Sequence, residues 1–92
     1  MGGNRKRPFG YRMEFGEVVL YPAEAETVRW IYDHYLAGDS YNALVDKLRE
    51  QGISYDGDKP WNKNMAARIL ADRRYTGEGG FPSIIPEEQF LS

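Results

Sequence analysis

The chain contains no cysteine and a single histidine, so disulfides and a thiolate zinc cluster are excluded, and thiol redox chemistry with them. A metal site would have to be built almost wholly from carboxylates, and the acids show no calcium-loop spacing. No apolar run approaches the roughly 20 residues that cross a bilayer, and Met1-Gly2-Gly3-Asn4-Arg5-Lys6-Arg7 lacks the apolar segment of a secretory leader. No cofactor, metal or membrane partner is therefore expected, and the expected location is cytoplasmic. Charge of one sign is also scarce: twelve basic and fourteen acidic residues leave a net −2, which argues against indiscriminate coating of nucleic acid. Aromatics are plentiful instead. Seven Tyr, four Phe and two Trp in 92 residues can fill one compact core, and the chain is too short for two.

The distribution of charge says more than its sum. Arg5, Lys6, Arg7 and Arg12 make residues 1–12 locally +4, and Lys59, Lys63, Arg68, Arg73 and Arg74 against Asp72 make residues 59–74 locally +4. The stretch between them carries −7. Folding that brings the two basic islands together would create one face able to neutralise phosphates. The ordinary alternative is a solvated tail and a common helix surface.

Phe9, Tyr11 and Met13 alternate with Gly10 and Arg12, and Val18-Val19-Leu20-Tyr21 follows a Gly16 turn, which predicts an N-terminal β-hairpin. Pro22 suits the first turn of a helix, and Val28, Ile31, Tyr32, Tyr35 and Leu36 form an amphipathic stripe, predicting helix over 22–37. Gly38 ends it and Ser40 caps a second helix over 41–51, with Tyr41, Leu44, Val45 and Leu48 on its apolar side. Asp56-Gly57 is a turn signal for a short second hairpin. Trp61 is expected to pack down onto the helices. Asn62 caps a third helix over 63–72, with Met65, Ala66, Ile69 and Leu70 inward and Lys63, Asn64, Ala67 and Arg68 toward solvent. Residues 81–85 read as a short extended segment, and Pro86 opens a further helical turn. The expected fold class is α+β: a helix-rich single domain of three main helices with a small N-terminal hairpin. Residues 1–6 read as a flexible basic tail or residues added by cloning, and 7–92 as one domain cut from a longer chain.

No catalytic constellation emerges. Ser40 is explained as a cap, Ser54, Ser83 and Ser92 lack a nucleophile-elbow context, and His34 lies off the centre of its helix's apolar stripe. Glu87 and Glu88 are adjacent and diverge by about 100° on a helix. Gly77-Glu78-Gly79-Gly80 lacks the strand and lysine of a phosphate loop and reads as irregular chain. The third helix remains. Asn64 and Arg68, four residues apart, project from one side with Lys63 and Ala67 beside them, and asparagine and arginine are the side chains that bond adenine and guanine bidentately. The same residues also decorate ordinary solvent-facing helices. The connection of about ten residues before this helix is longer than the turn of a helix-turn-helix motif.

Several separated motifs together carry a resemblance. Arg7-Pro8-Phe9-Gly10-Tyr11-Arg12, Glu24-Ala25-Glu26-Thr27-Val28-Arg29-Trp30-Ile31-Tyr32, Tyr35-Leu36-Ala37-Gly38-Asp39-Ser40, Leu48-Arg49-Glu50-Gln51-Gly52-Ile53, Trp61-Asn62, Ile69-Leu70 and Tyr75-Thr76-Gly77 occur in this order. From about Arg7 to Leu91 the chain resembles the recombinase domain of large serine recombinases, the integrases and transposases of phages and mobile elements. The resemblance implies a domain that binds double-stranded attachment-site DNA during integration and excision, while a separate domain supplies the serine that attacks DNA. It also implies a zinc ribbon elsewhere in the parent recombinase. The expected partners are thus DNA and those other domains, with association of protomers only through the missing domains and no catalysis by this fragment alone. By the same analogy the helix after Trp61-Asn62 meets the DNA. Lys63, Asn64, Ala67 and Arg68 are the expected base contacts, and Arg5, Lys6, Arg7, Arg12, Lys59, Arg73 and Arg74 the expected phosphate contacts. The alternative is a protein-interaction module of a mobile-element protein, docking through the aromatics of residues 53–61 or the C-terminal turn.

Overall fold

The computed structural model describes residues 8–53, 55 and 60–91. A two-stranded antiparallel hairpin, β1 (Tyr11–Glu14) and β2 (Glu17–Leu20), leads into α1 (Pro22–Leu36), α2 (Tyr41–Glu50) and α3 (Lys63–Ala71). Two 3-10 turns, Arg73–Thr76 and Glu78–Gly80, and the short α4 (Glu87–Leu91) complete the order. The α+β architecture and the three main helices follow the sequence reading, with helix ends moved by one residue. Asp56-Gly57 and its expected hairpin lie outside the described residues.

Local chemistry explains the ends. Pro22 occupies the first turn of α1, where a missing N–H costs nothing. After α1 the Gly38 N–H donates to the Tyr35 carbonyl and the Asp39 N–H to the His34 carbonyl, the paired closure of a Schellman motif. The Ser40 hydroxyl accepts from the Ala43 N–H at 3.1 Å and the Asn62 side chain from the Met65 N–H at 3.0 Å, so α2 and α3 both carry the expected N-caps.

In the hairpin Tyr11 faces Leu20 and Glu14 faces Glu17, leaving Phe15-Gly16 as a two-residue turn. Both have positive φ, 51° and 79°, the geometry that matches strand twist. Phe15 carries a β-carbon into that region at a cost of about 1–2 kcal/mol, and its ring is fully exposed. Met13 departs from the alternation that places it inward: it is half exposed, because the outer half of the hairpin extends past the core. Residues 81–85 form no strand. The Ile84 and Ile85 N–H groups both donate to the Tyr75 carbonyl, which pins these two buried residues against the core while Ser83 stays exposed.

The core is an aromatic column. Trp61 meets Phe9 and Tyr55 edge-on at 5.1 and 5.2 Å, and Tyr75 stacks on Tyr11 at 5.8 Å and meets Tyr32 edge-on at 6.4 Å. Their hydroxyls stitch distant segments together: Tyr75 to the Phe9 carbonyl at 2.6 Å, Tyr32 to the Ile69 carbonyl at 2.7 Å, and Tyr11 to the carbonyls of Pro82 at 2.6 Å and Arg74 at 3.2 Å. Burial, reinforced by Asp72, pushes the Tyr11 hydroxyl up from its ordinary 10.0 to about 12 and raises Tyr32 and Tyr75 further. The folded state therefore holds these protons more tightly than the unfolded chain. Their stabilisation is complete below pH 10 and is lost as pH rises through the folded-state values, from about 12 for Tyr11 upward. Urea titrations stepped from pH 9 upward are expected to show a falling midpoint above about pH 10, with tyrosinate absorbance appearing together with unfolding. A midpoint that stays level through pH 12 would mean that these hydroxyls are solvated.

Candidate nucleic-acid interface

The orientation of α3 is set from three sides. Ala66 and Ile69 are buried beneath it, the Tyr32 hydroxyl holds the Ile69 carbonyl near its C-terminal end, and Trp61 is sunk in the core just before its cap. Arg49 of α2 donates through Nε and Nη2 to the Trp61 carbonyl, at 2.9 and 2.6 Å, fixing the approach to the helix with a planar fork. Arg49 and Tyr32 carry no signal of these roles in the sequence, since nothing in their spacing marks a bond to a distant carbonyl.

This framing leaves Lys63, Asn64 and Arg68 exposed, as expected, and among the described residues Lys63 and Arg68 have no ion-pair partner. Ala67 differs from its expected place toward solvent. It is half buried and lines a groove of about 160 Å³ with Tyr35, Leu36, Tyr41, Leu70 and Phe90. The reason is that α1, the start of α2 and α4 all reach the stripe of α3 carrying Ala67, which widens its buried arc beyond what apolar spacing reveals.

The other expected phosphate contacts that the structure describes, Arg12, Arg73 and Arg74, all have carboxylate partners. Arg12 pairs with Glu14 at 2.5 Å and lies 5.4 Å over the Tyr21 ring. Arg73 pairs with Glu78 at 2.8 Å and Glu87 at 3.8 Å. Arg74 grips Asp72 with a two-pronged contact of 2.9 and 2.7 Å. Hydrogen bonds to these carboxylates hold the Arg73 and Arg74 guanidinium groups above their ordinary value. Arg5, Lys6, Arg7 and Lys59 lie outside the described residues. β1 and the turn at Arg74 meet where the Tyr11 hydroxyl donates to the Arg74 carbonyl, and Arg12 leaves β1 on the face opposite Tyr11.

Among the described residues no group of three or more His, Asp or Glu gathers as a metal site, and no helix is long and apolar enough to cross a membrane. His34 is half buried, stacked on Trp30 at 4.1 Å with Nδ1 bonded to the Trp30 carbonyl, which accounts for it structurally.

Residues 22–92 match the family described as Recombinase. The chain belongs to this family. The recombinase domain is also similar to two solved structures, each at 24% identity and a TM-score of 0.75. One is of an LSR–DNA complex, matched over 98% of this chain and 31% of that one. The other was solved for the sequence requirements of the Listeria innocua prophage attP site, matched over 96% and 40%. The domain thus spans about a third of the length of the proteins it matches, and it shares their fold. Comparison with curated proteins returns no match.

Proposed function

We propose that this recombinase domain binds duplex DNA at the attachment site of a large serine recombinase, with α3 reading the major groove. The observation that carries the reading is the exposed face of Lys63, Asn64 and Arg68, with no carboxylate partner among the described residues, on a helix held from three sides. Rigid presentation matters because base readout needs donors fixed in register, whereas phosphate contacts tolerate movement. Arg68 suits guanine and Asn64 adenine, and Lys63 at the helix start suits a flanking phosphate. Arg12, Arg73 and Arg74 reach phosphate only by giving up or sharing Glu14, Glu78 and Asp72, so they add less to affinity than their number implies. The basic residues Arg5, Lys6, Arg7 and Lys59 supply further phosphate contacts.

On this reading the domain recognises DNA and the cleaving serine belongs to another domain of the parent recombinase, as does the zinc ribbon. The protein-interaction alternative loses its proposed aromatics: Trp61 is fully buried with Tyr55 packed on it, and Phe90 packs toward Tyr32 at 6.3 Å.

The test is fluorescence anisotropy with cognate and scrambled duplexes at two salt concentrations. Affinity is expected to fall steeply with salt, and Arg68→Ala to lower the preference for the cognate site by about 1–3 kcal/mol. Binding that ignores salt, or a site preference untouched by Arg68→Ala, would remove α3 as the reading element.

A further inference from the structure

The hairpin tip is built against local preference. Its first turn residue has φ of 51°, a position suited to asparagine or glycine, yet it is Phe15 with its ring wholly in solvent. Met13 beside it is half exposed, and Glu14 faces Glu17 directly across the strands, a like-charge pairing that opposes hairpin formation. The Arg12–Glu14 pair offsets the charge repulsion, but among the described residues nothing covers the Phe15 ring to recover its backbone strain, and strain of this kind in a fixed element is a sign of use.

A receptor of matching shape exists on the same molecule. The groove between α1, α2, α3 and α4 measures about 160 Å³, close to a cavity that accepts a benzene ring. Tyr35 and Tyr41, stacked at 5.7 Å, form one aromatic wall, and Leu36 is exposed at the rim. The charges also complement. Lys63 lies one turn before Ala67 on the α3 stripe that lines the groove, and Arg68 follows Ala67, so cations with no carboxylate partner among the described residues border the groove where Glu17 would arrive beside Phe15, Glu14 being paired with Arg12 of its own strand. Asp33 on the α1 side is engaged by Gln89 at 2.6 Å. Acidic flanks disfavour DNA as the partner of this tip.

We infer that Phe15 of one copy of this chain docks into the Tyr35–Tyr41 groove of a second copy. Reciprocal docking of the two knobs and grooves gives a closed, isologous dimer, and one-way docking is heterologous and gives an open chain. A single ring and its flanks bury far less than the roughly 1,000 Å² of a stable interface, so the association is weak and appears near millimolar protein. The groove borders the Lys63–Arg68 face, so docking and occupation of α3 by another ligand compete.

Sedimentation of the whole chain without DNA tests this independently of the DNA-binding reading. The wild-type mass is expected to rise with concentration. Phe15→Asn is expected to remain monomeric while its thermal midpoint rises, because asparagine suits the turn, a combination that loss of folding would not produce. Leu36→Lys, at an exposed rim position, is also expected to remain monomeric. Mixing the two variants, one with an intact groove and the other with an intact knob, is expected to restore a 1:1 complex. A wild-type chain that stays monomeric, an unaltered association in Phe15→Asn, or mixed variants that fail to associate would each overturn the inference. Kinking of duplex DNA that depends on Phe15, without self-association, would assign the tip to DNA instead.

Discussion

Trp61→Ala is expected to destabilise the domain by about 3–5 kcal/mol, the range for deleting a large buried aromatic. Folded chains of this size hold only about 5–14 kcal/mol in total, so this is a substantial fraction of the whole. The indole is fully buried edge-on against the stacked pair Phe9 and Tyr55, and its removal leaves a cavity that those rings cannot close without losing their own contacts. The damage extends to α3, because Asn62, its N-cap, follows directly, and the Arg49 fork on the Trp61 carbonyl depends on the chain running where the ring holds it. Trp61→Phe provides the contrast. The Trp61 Nε1–H is buried with no hydrogen-bond partner among the described residues, and an unpaired buried donor costs about 1–3 kcal/mol. Phenylalanine loses ring volume but sheds that donor, so its loss is expected to be clearly smaller than that of alanine. Urea midpoints by far-UV circular dichroism measure both. Losses of similar size would mean that the orphan N–H carries no cost, and an alanine variant within about 1 kcal/mol of wild type would remove Trp61 from the core.

Gly10→Ala is expected to cost about 2–4 kcal/mol, from a strained backbone and an overfilled contact acting together. Gly10 has φ of 107°, and a β-carbon there would stand 3.0 Å from Ile84 Cδ1 and 3.4 Å from Val28 Cγ2. The Ile84 methyl lies at the flexible end of its side chain and can yield in part. The backbone cannot, because the Gly10 N–H donates to Glu24 Oε1 at 2.8 Å and its carbonyl accepts from the Tyr21 N–H at 2.9 Å. Those two bonds lock the entry of the hairpin to the start of α1. Gly16→Ala separates the two causes: its φ is 79°, but an added β-carbon meets nothing within 4 Å, so only the backbone cost of about 1–2 kcal/mol remains. Equal losses at the two glycines would show that the Ile84 and Val28 contacts contribute nothing.

Much of the architecture is legible in the sequence because its signals are local. A serine before an apolar repeat, an asparagine before another and a proline after a strand each satisfy or relieve backbone groups within one turn, so α1, α2 and α3 begin where those residues stand. The exposed side of α3 is legible for the same reason, since Asn64 and Arg68 lie opposite Ala66 and Ile69 at helical spacing. Periodicity gives the direction of a buried face and not its width or reach. It assigns Met13, Tyr35 and Leu36 to the core, yet each is more than a third exposed because the core ends before it reaches them. It assigns Ala67 to solvent, yet neighbouring helices close over that stripe. The ties that hold α3 in position, from Tyr32 to Ile69 and from Arg49 to Trp61, span 37 and 12 residues and leave no trace in local spacing.

Composition, capping residues and motif order were enough by themselves to determine the order of the N-terminal hairpin and three main helices, the α+β class and membership of the recombinase family, since each depends on neighbours along the chain. Only the tertiary structure decided which cations stand free. Arg73 reaches Glu78 and Glu87 because a 3-10 turn and α4 converge on it, and Arg74 meets Asp72 because that turn folds back on its own cap. Lys63 and Arg68 project from a helix to which no carboxylate among the described residues comes within ion-pair distance, and an ion pair depends on distance in space, which charge counted along a chain does not contain.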